Sequence, residues 1–267
     1  MWEALTRIAR CGQALPFLQG GVLRIVRDEA RTLPVALFGP RNIVRGSFRV
    51  QYVMPDEDTA DAVTVTYFSG RTWMPDEVVA ALPDSDPSAA DKPATVELFG
   101  CTGAEQALRE GLYMAAANRY RRRIVTFRTE LEGLIPTYGD LIAVTHDMPR
   151  WGQGGEVVRA EGRTLILSEP LAWGITVHYL ALRRRDGSLS GPWPVVRGDD
   201  ARTVRLDRDL DFEPCTGSEQ ERTHFAFGPG EDWGLKARVL AVRPRGEQVE
   251  ITAVGEDARV HQADQAA

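Results

Sequence analysis

Cysteine and histidine are scarce in this chain of 267 residues. The three cysteines, Cys11, Cys101 and Cys215, lie 90 and 114 positions apart, so no CxxC pair or zinc-ligand spacing occurs. The four histidines are scattered, and none stands in an HExxH or HxH motif. We therefore expect no metal and no cofactor, and the odd, sparse cysteine set suits a reducing compartment.

Long apolar runs and an excess of positive charge are also missing. No stretch approaches 18 uninterrupted apolar residues, so a membrane-spanning segment is not expected, and the start of the chain lacks the apolar core of a secretory signal. The 38 acidic residues outnumber the 32 basic ones, which gives a formal charge of -6 and no reason to expect a net basic footprint on nucleic acid. A local basic patch stays open.

The composition is that of a folded, soluble protein. Apolar residues make up 43% of the chain and charged residues 26%, which argues against disorder and against a disulfide-only scaffold. The length corresponds to one large or two ordinary domains. Only Lys92 and Lys236 are lysines, and we attribute the arginine bias to codon usage more readily than to phosphate recognition.

The first half of the chain mixes helical and strand patterns. Apolar spacing predicts a short helix over Trp2 to Gln13, after which the pattern changes to a period of two and predicts half-buried antiparallel strands up to about residue 68. Phe48, Val50 and Tyr52 alternate with polar residues, and so do Val63, Val65 and Tyr67. Val22 to Arg27 and Val35 to Phe38 are two more strand candidates, bounded by turn residues. The stretch from Met74 to Pro93, rich in proline, is interpreted as an exposed loop.

A second helix is predicted from Thr102 to about Tyr120. Thr102-Gly103-Ala104-Glu105 matches a capping box, in which a hydroxyl and a carboxylate satisfy two free amides. Small residues then recur on one side, which suits close packing against a sheet. They are Ala104, Ala107, Leu108, Gly111, Leu112 and Ala115. The arginines at its end, Arg119 and Arg121 to Arg123, complement the helix dipole, and an anion site there is the less favoured alternative.

After Ile124 the sequence predicts β structure only. Short β-rich segments recur at Ile124 to Thr129, Leu141 to Thr145, Thr164 to Leu167, Ile175 to Leu182, Thr203 to Leu206, His224 to Phe227, Lys236 to Val242 and Val249 to Val254. Turn signals separate them, and Gly152-Gln153-Gly154-Gly155 is interpreted as one such turn. Many short strands at this spacing indicate a barrel or a sandwich.

These patterns give an α+β fold followed by an all-β fold. In the first, two helices pack on an antiparallel sheet, and the second is a β-barrel or sandwich-like domain. The predicted division is an α+β domain over residues 1–123, a β-barrel-like domain over 124–257 and a flexible C-terminal tail over 258–267.

Catalytic motifs are absent from the sequence. No GxSxG, Walker A or GxGxxG occurs. His146-Asp147 could pair as a base and its orienter, but such neighbours are common, and His178 lies in a predicted strand as a packing residue. Paired acids such as Glu130 with Glu132 arise by chance in so acidic a chain, and no catalytic residue is assigned.

Two other residue groups have a functional and a structural interpretation. Asp207, Asp209 and Asp211 alternate as calcium ligands do, but they lack the glycine and distal glutamate of an EF-hand and favour a solvated loop. Tryptophans beside glycine or proline could form a sugar platform, although packing at turns is favoured. They are Trp151, Trp173, Trp193 and Trp233.

An ordered set of segments resembles the phage tail tip attachment, or host specificity, protein J family of lambda-like siphophages. The segments are Phe48–Val50, Asp61–Tyr67, Leu98–Thr102 with Gln106-Ala107, Arg109 and Gly111-Leu112, then Val125–Phe127, Pro136–Ile142, Gly154-Gly155 and Val249–Ala253. In that family an FGCT motif opens a helix and a PGD turn begins the next β unit, whereas here the proline is displaced to Pro136. Family members are several times longer, so this chain resembles only the later hub segment.

The resemblance implies a structural component of the tail tip hub of a phage, prophage or gene transfer agent. Such proteins form a trimeric baseplate hub that closes the tail tube and supports host-recognition parts. We therefore expect a homotrimer at the virion tail tip, assembled in the bacterial host cytoplasm, with other tail tip and tail tube proteins as partners. Transient contact with passing DNA fits the acidic balance, because a lumen that lets DNA slide should avoid strong phosphate contacts. Unprotected edge strands would favour association with other subunits or hub proteins.

Two other function classes stay open. The alternative is a stand-alone carbohydrate-binding or adhesin module. Glycan binding that is lost on Trp151→Ala or Trp193→Ala would favour this alternative. An enzyme, as a glycan hydrolase, ranks third and would need Glu130 or Asp140 for sugar release. We expect no enzyme.

Overall fold

The computed structural model describes residues 1–55, 59–82 and 92–263. Its helices are α1 (Trp2–Arg10), α2 (Ala104–Tyr120) and α3 (Arg259–Ala263), and a short 3-10 helix spans Leu131–Leu134. Its strands are β1 (Ala14–Gln19), β2 (Val22–Arg27), β3 (Ala36–Phe38), β4 (Arg49–Tyr52), β5 (Ala62–Phe68), β6 (Pro75–Ala80), β7 (Pro93–Glu97), β8 (Arg123–Thr129), β9 (Leu141–Val144), β10 (Gln153–Glu161), β11 (Thr164–Leu167), β12 (His178–Arg183), β13 (Leu189–Arg197), β14 (Thr203–Leu206), β15 (His224–Pro229), β16 (Leu235–Arg245) and β17 (Gln248–Gly255).

Two compact units divide the chain, and neither is continuous in sequence. Unit 1 combines Met1–Ala30, Gln51–Ile124 and the segment that starts at Asp257, whereas unit 2 combines Arg31–Val50 and Val125–Glu256. The predicted domains 1–123 and 124–257 are consecutive stretches of the chain, and this division stays a prediction.

In unit 1, helix α2 packs on a three-stranded sheet of order β6-β5-β7. Strand β5 pairs with β6 antiparallel and with β7 parallel. The helix approaches the sheet closely at Gly111, where an added Cβ would lie 2.5 Å from the Cβ of Ala80. The predicted small-residue face is therefore confirmed for most of its members, although Ala104 is exposed and Glu110 is buried within it.

A separate hairpin of β1 and β2 precedes this layer. Gly20 and Gly21 connect the strands with φ angles of +57° and +80°, the left-handed backbone that a two-residue hairpin turn requires. Helix α1 contacts β1. The α1, β1 and β2 segment thus forms a small αββ motif at the start of unit 1.

Unit 2 contains a six-stranded sheet of order β3-β9-β16-β17-β8-β4 and a closed barrel of order β10-β11-β14-β13-β12-β15. Each has its own apolar core, with Phe127 and Ile251 in the sheet and Phe225 and Leu180 in the barrel fully buried. Trp233, 1% exposed, belongs to a third cluster that joins residues of both. The predicted fold class, α+β followed by an all-β barrel, is confirmed.

Two loop predictions are wrong. Part of the Met74 to Pro93 loop is strand β6, and Pro93 opens β7, while residues 83–91 lie outside the described residues. Both strands lie at the edges of their sheet, where proline and acidic side chains are tolerated. Of the predicted turn at 152–155, only Gly152 precedes the strand, because Gln153 opens β10.

Close packing explains the glycines inside β10. A Cβ on Gly154 would lie 2.7 Å from Oγ1 of Thr145, and one on Gly155 would lie 2.7 Å from Oγ of Ser168. The sequence pattern does not predict strand β10, because glycines at these positions are typical of turns. Strand β13 was missed because Pro192 and Pro194 conceal its pattern.

The predicted capping box at Thr102 is also wrong. The N-cap of α2 is Gly103, with no side-chain hydrogen bond to the helix amides. The backbone carbonyl of Thr102 accepts a hydrogen bond from the Gly70 amide at 2.9 Å, which holds Thr102 one position before the helix. Its hydroxyl is therefore not placed where an N-cap side chain must be.

The segment predicted as a flexible tail contains helix α3. Val260 is fully buried and His261 is 8% exposed, and the helix contacts α2. Residues 264–267 lie outside the described residues. Over residues 259–263, an ordered helix thus stands where the sequence favoured a tail.

Candidate functional site

An exposed apolar surface covers the αββ motif at the start of unit 1. Helix α1 has no buried residue, and seven large apolar side chains of the motif are between 40% and 65% exposed. We call them the N-terminal apolar surface: Trp2, Ile8, Leu15, Leu18, Val22, Leu23 and Ile25. Apolar side chains grouped in this way mark a contact surface for another molecule more often than an ordinary protein surface.

Both faces of the β1–β2 hairpin contribute to this surface. Leu18 lies opposite Leu23 in the ladder, so both side chains stand on one face, whereas Leu15 and Val22 belong to the other. A strand that is apolar on both faces is typical of a sheet covered on both sides. The hairpin has the composition of an interior sheet element, although it is exposed in the single chain.

The hairpin is also a sheet of only two strands. Two-stranded sheets are marginally stable in water, and an edge strand is a template for pairing with another strand. Within the described ranges, β1 and β2 form a ladder only with each other. The geometry therefore favours strand addition at either edge.

Ionic and hydrogen-bonding contacts fix the base of the hairpin. Directly after β2, the carboxylate of Asp28 accepts hydrogen bonds from the hydroxyl of Tyr113 and from the guanidinium of Arg121, the latter with Nη2 to Oδ1 at 3.0 Å. The side chains of Asp28 and Arg121 are only 17% and 9% exposed. Such a partly buried, bidentate pair is geometrically specific. The hairpin is thus held at its base while its apolar strands stay exposed.

Burial raises the pKa of Tyr113, and the neighbouring carboxylate of Asp28 raises it further. The phenol therefore keeps its proton and donates to Asp28 throughout the neutral range. Helix α3 joins this anchor, because Nε2 of His261 lies 3.3 Å from Nη2 of Arg121.

Helix α1 is fixed at its C-terminal end. Nε2 of Gln106 in α2 donates to the carbonyl of Cys11 at 3.0 Å, and the Cys11 thiol donates to the carbonyl of Phe99 at 2.9 Å. Burial raises the pKa of Cys11, so the thiol stays protonated as this bond requires. Both parts of the motif are therefore attached to unit 1 at one end.

Sequence reasoning did not single out Asp28, Tyr113 or His261. Arg121 stood in the arginine cluster at the end of α2, and the structure gives it the anchoring role above. Arg122 donates from Nε to the carbonyl of Asn118 at 3.0 Å, a contact typical of a helix end. An acid placed just after a hairpin strand is too common a pattern to predict this anchor.

The candidate histidines are packing residues. His178 is 2% exposed, stacks on Phe227 with ring centroids 5.1 Å apart, and accepts the Gly174 amide at Nε2. His146 stacks on Phe48 with centroids 3.9 Å apart, and its Nδ1 accepts the Met148 amide. Burial lowers the pKa of His146. The expected strand position of His178 is confirmed. The contacts of His146 are those of a packed aromatic ring, with Nδ1 bonded to the Met148 amide and not to Asp147.

The candidate carboxylates have separate structural partners. Asp207, Asp209 and Asp211 pair with Arg208, Arg163 and Arg184 respectively. Three aspartates with three different arginines do not form a shared cation site. Their solvated-loop interpretation is consistent with these contacts.

The two acids considered for sugar hydrolysis are placed in different settings. Asp140 accepts hydrogen bonds from the amide and hydroxyl of Thr137, and Arg31 pairs with it at 2.7 Å. These contacts close the turn before β9. Glu130 is exposed and precedes the 3-10 helix, where Glu132 accepts from the hydroxyl of Thr129.

The four tryptophans of the β half pack at turns and in cores. Trp233 is buried, and Trp151 packs against the core of the six-stranded sheet. Trp173 packs on Phe227, and the indole of Trp193 donates to Oγ of Ser190 at 3.0 Å. No exposed aromatic platform is formed by these four side chains.

Comparison with known proteins places the chain in a family. The family model described as "Putative phage tail protein" matches residues 1–160, which include the whole N-terminal apolar surface. The chain belongs to this family of phage tail proteins. It is accordingly a structural phage tail component, and no helix in the described parts of the chain is long and apolar enough to cross a bilayer.

Three known proteins show the extent of the similarity. Tip attachment protein J of Escherichia phage SECphi27 is 28% identical over 145 residues, which are 54% of this chain and 12% of that protein. A chain from the virion of a native gene transfer agent particle superposes with a TM-score of 0.52 and 13% identity over 96% of this chain and 39% of its own length. A tail protein from Neisseria meningitidis MC58 gives a TM-score of 0.43 at 13% identity, over 98% of this chain and 57% of that one.

The chain spans about an eighth of the curated relative and about two fifths of the gene transfer agent chain. The gene transfer agent chain shares the fold of almost the whole chain. The resemblance to the protein J family inferred from the sequence is confirmed.

Proposed function

We propose that the chain is a building block of the phage tail tip hub, where three copies form a ring that closes the tail tube and supports host-recognition parts. Membership of a phage tail protein family supports the structural role. The N-terminal apolar surface carries the proposal of self-association, since it leaves seven large apolar side chains uncovered in the single chain.

The hairpin geometry suggests how the copies meet. If β1 of one copy pairs along the free edge of β2 in the next, the strand order stays antiparallel throughout. Three hairpins then supply six strands, the same number as in the closed barrel of unit 2. Such head-to-tail contacts close into a ring when the rotation is right, and closure removes every free edge.

Other tail tip and tail tube proteins are the further partners in this proposal, with transient contact of the ring with passing DNA. Assembly in the host cytoplasm, before incorporation into the virion tail tip, fits the three free cysteines. A tube closure requires no turnover, so the proposed role is not enzymatic.

Light scattering coupled to size-exclusion chromatography at two concentrations tests the self-association. We expect the wild type to show three times the chain mass of 29.5 kDa. Leu18→Asp places a charge on the proposed contact, where Leu18 is 65% exposed, and should yield monomers. The matched control is Leu131→Asp, since Leu131 is 68% exposed and lies in unit 2; it should leave the mass unchanged.

Two results would contradict the proposal. A wild type that stays monomeric at both concentrations would exclude self-association of this chain through its own surface. Equal dissociation by Leu18→Asp and Leu131→Asp would show that the hairpin is not the contact. Antibody labelling of purified particles tests the tip position separately, because label along the tail shaft would exclude it.

A further inference from the structure

A cleft in unit 2 lies where two neighbouring barrel strands separate. Strands β12 and β15 pair up to Leu182 and Phe225, and the ladder ends there. Beyond this pair, Arg183, the two arginines after it and the segment that leads to His224 line an open space. The resulting cleft has a volume of about 260 Å³.

Positive charge dominates the lining of this cleft. Four arginines line it together with one acid, Glu221. Arg184 pairs with Asp211 and donates to the carbonyl of Leu189, so its guanidinium stabilises the fold and has fewer donors for a ligand. The four arginines are Arg183, Arg184, Arg185 and Arg222.

Arg183 and Arg185 have donors to spare. Arg185 is exposed and forms no ion pair within the described ranges. Arg183 is 13% exposed, and its nearest acid is Glu221, with Nη1 3.5 Å from Oε2. Arg222 donates from Nε to the carbonyl of Thr216 and pairs through Nη1 with Oε2 of Glu156 at 3.5 Å, so it contributes less to the cleft. A guanidinium of this kind matches the geometry of a phosphate group.

A buried imidazole completes the site. His224 is 4% exposed, and its Nδ1 has no hydrogen-bond partner. Burial lowers the pKa of His224, so the ring is neutral at pH 7 and offers one N–H donor. An unsatisfied buried nitrogen costs free energy unless a ligand or water pairs with it.

Glu221 stands where an anion would bind. Its Oε1 lies 3.1 Å from Nε2 of His224, without the alignment of a hydrogen bond, and its Oε2 faces Arg183. The Glu221 side chain is 62% exposed, so it can rotate away from the cleft. The Glu221 carboxylate therefore occupies the position that the oxygen atoms of a bound anion would take.

We propose that this cleft binds a phosphate group, held by Arg183, Arg185 and His224 after Glu221 moves aside. The ligand is a free phosphate or a phosphodiester of nucleic acid, which share this chemistry. The site lies within one chain and does not depend on the tail tip proposal.

Titration with inorganic phosphate, followed by the imidazole nitrogen signals of His224 and by calorimetry, tests the site in the full-length chain. We expect saturable shifts of the His224 signals in the wild type. Arg185→Gln, at an exposed position that should not affect folding, is expected to weaken binding about tenfold, as the loss of one charged hydrogen bond does. Glu221→Gln removes the competing carboxylate and is expected to tighten binding.

Arg245→Gln is the matched control, because Arg245 is exposed on the sheet of unit 2 and pairs with Glu250. It should leave phosphate binding unchanged. Competition with a short DNA duplex separates the two sources: displacement of phosphate by DNA at lower concentration identifies the phosphodiester, and its absence identifies free phosphate. No shift of the His224 signals in either the wild type or Glu221→Gln would overturn the proposal, as would equal weakening by Arg185→Gln and Arg245→Gln.

Discussion

The β1–β2 hairpin and the six-stranded barrel are built from similar apolar strands and differ in burial. In the barrel, Leu180 and Phe225 are at most 1% exposed, whereas Leu18 and Leu23 in the hairpin are 65% and 48% exposed. The barrel closes on itself, so each strand has two neighbours and an interior for its apolar face. The comparison shows that apolar strand sequence does not bring burial unless the sheet is completed, and in the proposed ring a neighbouring copy completes the hairpin.

Truncating one apolar side chain in each region should give the largest difference in unfolding free energy between the barrel and the hairpin. Phe225→Ala removes a fully buried ring from the barrel core and is expected to cost about 3–5 kcal/mol of unfolding free energy. Leu18→Ala in the dilute protein should change it by less than about 0.5 kcal/mol. Urea unfolding at low protein concentration measures both. A large loss for Leu18→Ala in monomeric protein would show that the hairpin has its own core.

Glycine substitutions give the second contrast. Gly152, before β10, and Gly20, in the hairpin turn, have φ angles of +67° and +57°. A Cβ on Gly152 would lie 2.1 Å from the backbone oxygen of Trp233, whereas one on Gly20 meets nothing within 4 Å. Gly20→Ala should cost about 1 kcal/mol from its left-handed backbone alone.

Gly152→Ala should cost about 2–4 kcal/mol, since overpacking adds to the backbone strain. Thermal or urea unfolding measures the difference. Equal losses for the two variants would mean that the Trp233 backbone can move aside, and that the barrel end is less rigid than its packing suggests.

The sequence predicted the elements that rest on local pattern. Alternation found β5, and small-residue spacing found the face of α2, because both signals are repeated over several residues. It missed β10 and β13, where glycine and proline are needed for close packing and conceal the strand pattern. It also missed the N-terminal apolar surface, since a short apolar segment predicts a strand without telling whether its partner strand lies in the same chain.

Acid should lower the unfolding free energy of unit 2. Burial lowers the pKa of His224 and of His146, so both rings are neutral in the folded chain while the unfolded chain takes up protons at about pH 6.5. Their contribution is complete above that pH and is lost as the pH falls through the lower folded values. Unfolding measured from pH 8 to 5 should show falling stability, and His224→Phe should flatten the curve in part. An unchanged curve for that variant would exclude His224 as a contributor.

The hairpin anchor should respond to the opposite end of the pH scale. The pKa of Tyr113 is raised by burial and by Asp28, so its contribution is present below the ordinary value of about 10 and declines above it. Stability should therefore fall between pH 10 and 11. Tyr113→Phe should cost about 1 kcal/mol at pH 7 through the lost hydrogen bond and reduce the alkaline decline. Tyr179→Phe, in the barrel, is the control and should keep that decline.

The smallest expected effect concerns Thr102, where sequence and structure give different values. An N-cap hydroxyl lost on substitution by alanine costs about 1 kcal/mol. Gly103 is the N-cap in the structure, and Thr102 is attached through its backbone carbonyl, which alanine keeps. Thr102→Ala should therefore change the unfolding midpoint very little, whereas Gly103→Pro, which fixes φ near −65° where the N-cap has −115°, should lower it. A loss of about 1 kcal/mol on Thr102→Ala would restore the capping box and place the start of α2 one residue earlier, which makes this modest measurement decisive for how the helix begins.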